Sequence, residues 1–170
     1  IVQATVLPAP ITKKSIKVNI FNGTTVCVNS EWNNWAPVAN INSELFTYSD
    51  GTKSGISANL NQGGNFTDNG VGFAPDATIC PPSVLRFNSM LTVSRNIVIS
   101  GLDPSKEYKF EIFGSRAYTS GSKSIFKTGN VADTIDTDFN VNDFAKFNYI
   151  RPAINGSVTF NISSIGNYNY

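Results

Sequence analysis

An all-β fold, built as a two-sheet antiparallel sandwich, is what this sequence predicts, and three observations predict it. About ten short apolar or alternating segments recur at intervals of about 8 to 12 residues along the chain. Clusters of Gly, Pro, Asn, Asp and Ser separate them, and no stretch of useful length has a helical period. The composition is rich in Asn, Ser, Thr and Gly and carries 12 Phe and 6 Tyr, a mixture that favours strands and turns and is poor in helix formers. At 170 residues the chain suits one domain, which buries roughly two thirds of its unfolded surface without metals or crosslinks.

The elements follow in order. VLPAPITKK, with two prolines and a lysine pair, marks residues 1–14 as a linker or lead-in, so the domain runs over residues 15–170. IKVNIF and TTVCVNS read as strands, with Asn22-Gly23 between them as a hairpin or kink. EWNNWAP, which holds both tryptophans of the chain, reads as a loop. ELFTYS and GISANL are short strands flanking the turn Asp50-Gly51, and NQGGNFTDNGVG is a long polar, glycine-rich loop. VLRFNSMLTVS and NIVISGL carry apolar runs up to the turn LDPSKE. YKFEIFGSRAY alternates most cleanly, with Tyr108, Phe110 and Ile112 on one face. SKSIFKTGN follows the YTSGS turn, a short helical turn is expected around Val141 to Phe144, and KFNYIRP and SVTFNIS close the series around PAINGS.

Charge and composition exclude several functions. Charged residues are 15% with a formal net charge of +1, against about 25% in typical domains, so no basic face for nucleic acid is expected. Nothing approaches the ~20 apolar residues of a membrane-spanning helix. The opening IVQATVLPAP lacks a basic region followed by a long apolar one, so any signal peptide would already have been removed. The chain has no histidine, which removes the commonest general base, the usual catalytic triads and most zinc sites. Glu31, Glu44 and several aspartates lie in no catalytic signature, and intrinsic catalysis is not expected. Cys27 and Cys80 form no CxxC motif. They are either a disulfide, contributing roughly 4 kcal/mol, or two reduced buried thiols.

Several stretches carry a family likeness: VNIFNG with WNNW following, PPSVLRFNSM, ISGLDPSKEYKFEIFGSRAY with KSIFKTGN after it, and AINGSVTFNISS. From about Ser15 onward the chain resembles the galactose-binding-like jelly-roll modules, akin to carbohydrate-binding modules, of secreted multidomain bacterial proteins. The resemblance implies a two-sheet antiparallel jelly-roll sandwich and a non-catalytic module that holds a polysaccharide or other glycan in a loop-end cleft. It also implies an extracellular or cell-surface location and tethering to other domains of a larger protein. The alternative is a structural spacer or adhesin domain with no small-molecule site. In two respects the sequence departs from the family: the aromatics often found after VLR are replaced by Phe87 and then Asn88, Ser89 and Met90, and one more stretch is expected after Asn169-Tyr170.

The candidate ligand residues are Trp32, Asn33, Asn34, Trp35, Arg116 and Tyr118. Sugars stack their C–H faces on aromatic rings and pair their hydroxyls with short amides and guanidinium forks, which is the recipe EWNNWAP follows. The same tryptophans equally suit a core plug, because the large ring buries so much area. Arg116 and Tyr118 lie where an alternating strand runs into a turn, at the rim of a sandwich end; Arg116 stacking on a tryptophan or pairing Asp76 is the structural alternative. Arg86 makes a weaker case. Sandwich modules of this kind frequently carry a structural calcium, and Asp133, Asp136 and Asp138 are spaced as its oxygen ligands could be, although the Gly and closing Glu of an EF-hand are missing. Four glycosylation sequons, at Asn22, Asn65, Asn155 and Asn161, are explained by chance in an Asn-rich chain.

Overall fold

The computed structural model describes residues 13–24 and 26–170, so the expected lead-in lies, up to residue 12, outside the described residues. Among the described residues the strands are β1 (Lys17–Ile20), β2 (Trp32–Trp35), β3 (Ser57–Leu60), β4 (Asn65–Asp68), β5 (Phe87–Met90), β6 (Arg95–Ser100), β7 (Tyr108–Ile112), β8 (Lys123–Thr128), β9 (Val131–Asp136), β10 (Ala145–Ile150) and β11 (Val158–Ile165). One helical turn, α1 (Pro82–Leu85), precedes β5. No helix is long and apolar enough to cross a membrane among these residues.

Five strands form an antiparallel sheet in the order β3-β6-β11-β8-β9. At its centre, β11 reads VTFNISSI and alternates, so Val158, Phe160 and Ile162 all project to one face and are buried there. The antiparallel pair β7 and β10 contributes to the cover over that face. Phe160 meets Phe147 of β10 and Phe110 of β7 edge-on, with ring centroids 4.9 and 5.1 Å apart. Phe126, Ile135 and Leu102 complete this core, in which each fully buried phenylalanine contributes roughly 2–3 kcal/mol of transfer free energy. A second cluster forms where Trp35 and Phe46 pack on Ala58 and Leu60 of β3, and a third joins Cys27, Cys80, Val84 and Leu85. The architecture is all-β and sandwich-like.

Several local expectations are corrected. EWNNWAP is not a loop: residues 32–35 are β2, and it pairs with β1 in parallel, Lys17 opposite Trp32 and Ile20 opposite Trp35. A parallel pair cannot be closed by a hairpin. Asn22-Gly23 therefore only bends the chain, with Gly23 at φ 86, and the described part of TTVCVNS is crossover rather than strand. The glycine-rich loop contains β4, bonded antiparallel to β5. Residues 44–49 form no strand; Phe46 instead exchanges backbone bonds with Ile56 and Ser54. DTIDTDF, for which no strand was expected, begins within edge strand β9. No helix forms at 141–144, because the Asn140 side chain takes the amide protons of Asn142 and Asp143 and donates to the Asp143 carbonyl. Gly101 is fixed by packing: at φ +87 a Cβ there would lie 2.0 Å from the Gly55 carbonyl oxygen.

A buried arginine and a pair of buried thiols shape the interior. Arg95 opens β6 at 3% exposure. Its fork donates to the Ser89 hydroxyl and carbonyl, both at 2.6 Å, and among the described residues no carboxylate pairs with it, so burial pulls its pKa down to about 10. Cys27 and Cys80 are free and buried. The Ser83 hydroxyl donates to Cys27 Sγ at 3.1 Å, and burial, helped by Cys27, pushes the Cys80 thiol up to about 12.

Candidate functional site

The two tryptophans of β2 point in opposite directions. Side chains alternate along a strand, so Trp32 and Asn34 share one face and Asn33 and Trp35 the other. Trp32 packs against the Cys27 and Cys80 cluster. Trp35, at 6% exposure, lies edge-on to Phe46 with centroids 6.2 Å apart. Its ring is core.

The asparagines between them act as substitute peptide groups. Asn33 Oδ1 accepts the amide proton of Thr47 at 2.8 Å, and its Nδ2 donates to the Thr47 and Lys17 carbonyls at 2.8 and 3.0 Å. Asn34 does the same for Cys27, accepting its N–H at 2.9 Å and donating to its carbonyl at 2.8 Å, and accepts a further bond from Asn19. Each amide thus ties to β2 a chain segment that no ladder holds there. Asn33 thereby spends both Nδ2 protons and both acceptor positions, and Asn34 both acceptor positions and one Nδ2 proton, so most of the bonds that a sugar hydroxyl would need are already made.

Beside β2 lies a groove of about 330 Å³. Asn34, Trp35 and Phe46 form part of its wall, and the exposed aliphatic side chains of Val38, Ile41 and Leu45 line it together with Glu44. The aromatic rings at this groove, Trp35 and Phe46, are both buried. Its open surface mixes these aliphatic side chains with the exposed Asn34, Asn42 and Glu44, and it presents no exposed aromatic ring for stacking.

Arg116 and Tyr118 lie elsewhere, where three chain segments meet after β4, β7 and β9. Arg116 pairs in parallel with Asp138: its N–H donates to the Thr137 carbonyl, and its carbonyl accepts from Phe139 N–H, both at 2.8 Å. Asn69 is the third anchor. Its Oδ1 accepts from Arg116 Nη1 at 2.8 Å and from Ala117 N–H at 2.9 Å, while its Nδ2 donates to the Leu85 and Ser115 carbonyls. All four hydrogen-bonding positions of that amide are filled. Arg116 thus neither pairs Asp76 nor forms any other ion pair among the described residues.

Asp138 braces the neighbouring turn. Its carboxylate accepts the N–H and hydroxyl of Ser120 and the N–H of Gly121, at 2.7 to 3.0 Å. Burial pushes its pKa up, but these donors outweigh that and hold it below the ordinary Asp value. Asp68, next to Asn69, is likewise held low by its bond to Arg86 and by Gly70 N–H. Arg86 also lies 4.9 Å from the Phe87 ring centroid.

This braced framework carries open aromatic rings. Tyr118 is 62% exposed and Phe139 53% exposed. Phe139 has φ 49, a left-handed conformation that costs a bulky residue about 1–2 kcal/mol. Its ring is set 6.4 Å from Phe73, which is half-buried. Sequence reading identified Arg116 and Tyr118 and missed Phe139, Phe73 and Asn69. A phenylalanine in the polar run DTDFN was the signal available for Phe139; nothing in the sequence announced its φ.

The structure therefore divides the six candidate residues into two places, Trp32 to Trp35 in one and Arg116 with Tyr118 in the other. Asp133, Asp136 and Asp138 do not converge: Asp133 accepts from Thr134 and Lys146 N–H, Asp136 from Asp138 N–H, and Asp138 from the Ser120 turn. No group of three or more Asp, Glu, Cys or His that could hold a metal exists among the described residues. Comparisons with protein families, with curated proteins and with solved structures return no match.

Proposed function

We propose that the protein is a non-catalytic carbohydrate-binding module of jelly-roll, galactose-binding-like type, acting outside the cell as part of a larger secreted protein. The observation that carries this reading is Phe139: a strained, half-exposed ring beside the braced Arg116 segment that also presents Tyr118. Strain of this kind persists where surrounding bonds over-determine it, and it concentrates at functional sites. Tyr118 and Phe139 supply the stacking faces, and Arg116 supplies hydrogen-bond donors. A module of this kind works by raising the local concentration of a tethered partner on its polymer, which needs only weak intrinsic affinity.

The test is retardation in native gels cast with soluble polysaccharides. Tyr118→Ala and Phe139→Gly should each abolish retardation by the polymer that binds. Phe139→Gly should also raise folding stability by about 1 kcal/mol, because it relieves the left-handed backbone. Retention of full binding by both variants would sink the assignment. The second reading, a spacer or adhesin domain, is favoured by the spent amides and buried ring of the WNNW strand. It predicts no retardation by any polymer.

A further inference from the structure

The four arginines of the chain have different partners. Arg86 is held by both carboxylate oxygens of Asp68, and Arg151 by Glu107. Arg95 is buried and its fork is taken by Ser89 and Gly63. Arg116 alone combines partial exposure with the lack of a carboxylate partner among the described residues. Asp138, opposite it across the bridge, directs its oxygens to Ser120 and Gly121 instead. Asn69, itself saturated, orients one end of the guanidinium by a neutral bond and supplies no counter-charge. An oriented planar fork that has no carboxylate partner, and whose other donors remain after the bond to Asn69, matches a carboxylate better than it matches neutral hydroxyls.

We infer that the glycan bound at this face carries carboxylates, as in an acidic polysaccharide containing uronic acid residues, and that Arg116 is the residue that selects for them. The inference rests on the carbohydrate-binding reading. Tyr118 and Phe139 take the sugar faces, and Arg116 takes the carboxylate.

The experiment is native gel retardation of the full chain by polygalacturonate and by alginate, each compared with its methyl-esterified form and with a neutral β-glucan. The expected result is retardation by at least one uronate polymer and its loss on esterification, which leaves the sugar rings intact and removes only the charge. Arg116→Gln should weaken binding to that polymer roughly tenfold or more, the scale of a lost charge-assisted hydrogen bond. Arg116→Lys should recover part of it, and Arg151→Gln, beyond the far end of β10, should have no effect. Equal retardation by the free and esterified polymers, or by the neutral glucan alone, would overturn the selection for acid while leaving the carbohydrate-binding reading standing. Retardation by none of them would overturn both. The esterification comparison uses the unaltered protein, so it decides the matter even if an Arg116 variant folds poorly.

Discussion

The strand EWNNWAP and the segment GSRAYTS are built from similar residue types, aromatics interleaved with small polar groups, yet they face different ways. In β2 both rings are packed into clusters and both amides bond to backbone of distant segments. In the Arg116 segment the backbone is bonded to Thr137 and Phe139, Arg116 is braced by Asn69, and the Tyr118 ring is left in solvent. The difference teaches that residue type names candidates for a ligand face, while the bonds already made decide which of them remain available. A ligand residue needs a braced backbone and an unspent side chain.

The largest expected effect that would sharpen this contrast comes from Trp35→Ala. Removing a buried ring packed on Phe46, Ala58 and Leu60 should cost about 3–5 kcal/mol of folding stability, read as a shift in the urea midpoint. A cost below ~1 kcal/mol would mean the ring is not core and would return Trp35 to the candidate ligand residues. Asn34→Ala comes next. It strands the N–H and carbonyl of Cys27 and should cost ~1–3 kcal/mol. Because Cys27 then loses its tie to β2, its thiol, otherwise protected, should react measurably with an aromatic disulfide reagent under native conditions. An unreactive Cys27 in that variant would show that the amide does not hold the crossover.

Most of the large sheet, and β7 of the pair that covers it, was legible in the sequence because these strands follow local rules. YKFEI and VTFNIS alternate, and their turns carry the expected Gly, Pro, Asp and Asn. The parallel pairing of β1 with β2 was not legible, since it depends on Asn33 and Asn34 finding Thr47 and Cys27, segments that no local pattern connects. β4 was hidden for a similar reason: NFTD has little β-pattern of its own and is held as a strand by Phe87–Met90. At the candidate site, Arg116 and Tyr118 were legible as the end of an alternating run. Phe139 was not, because its left-handed φ goes with a bond from its N–H to the Arg116 carbonyl, a partner that no local pattern connects to it.

The smallest effect is a titration that should touch one region and spare the other. Asp138 is charged in the folded protein and bonded to Ser120 and Gly121, so its pKa lies below the ordinary value of 3.8. A depressed carboxylate contributes stability that is fully present above the unfolded value and is lost as pH falls through the folded one. The amide resonances of Ser120 and Gly121 should therefore shift with a midpoint below 3.8, and the shift should vanish in Asp138→Asn. The side-chain amides of Asn33 and Asn34, bonded to backbone groups and to Asn19 or Thr47, contain no ionisable partner and should stay still over the same range. Asp68 is depressed as well, through Arg86 and Gly70, so Gly70 should show its own step, one that survives Asp138→Asn. A midpoint for Ser120 at or above the ordinary Asp value would mean that the carboxylate does not brace the turn, and the Arg116 face would lose the rigidity that sets it apart from an ordinary loop.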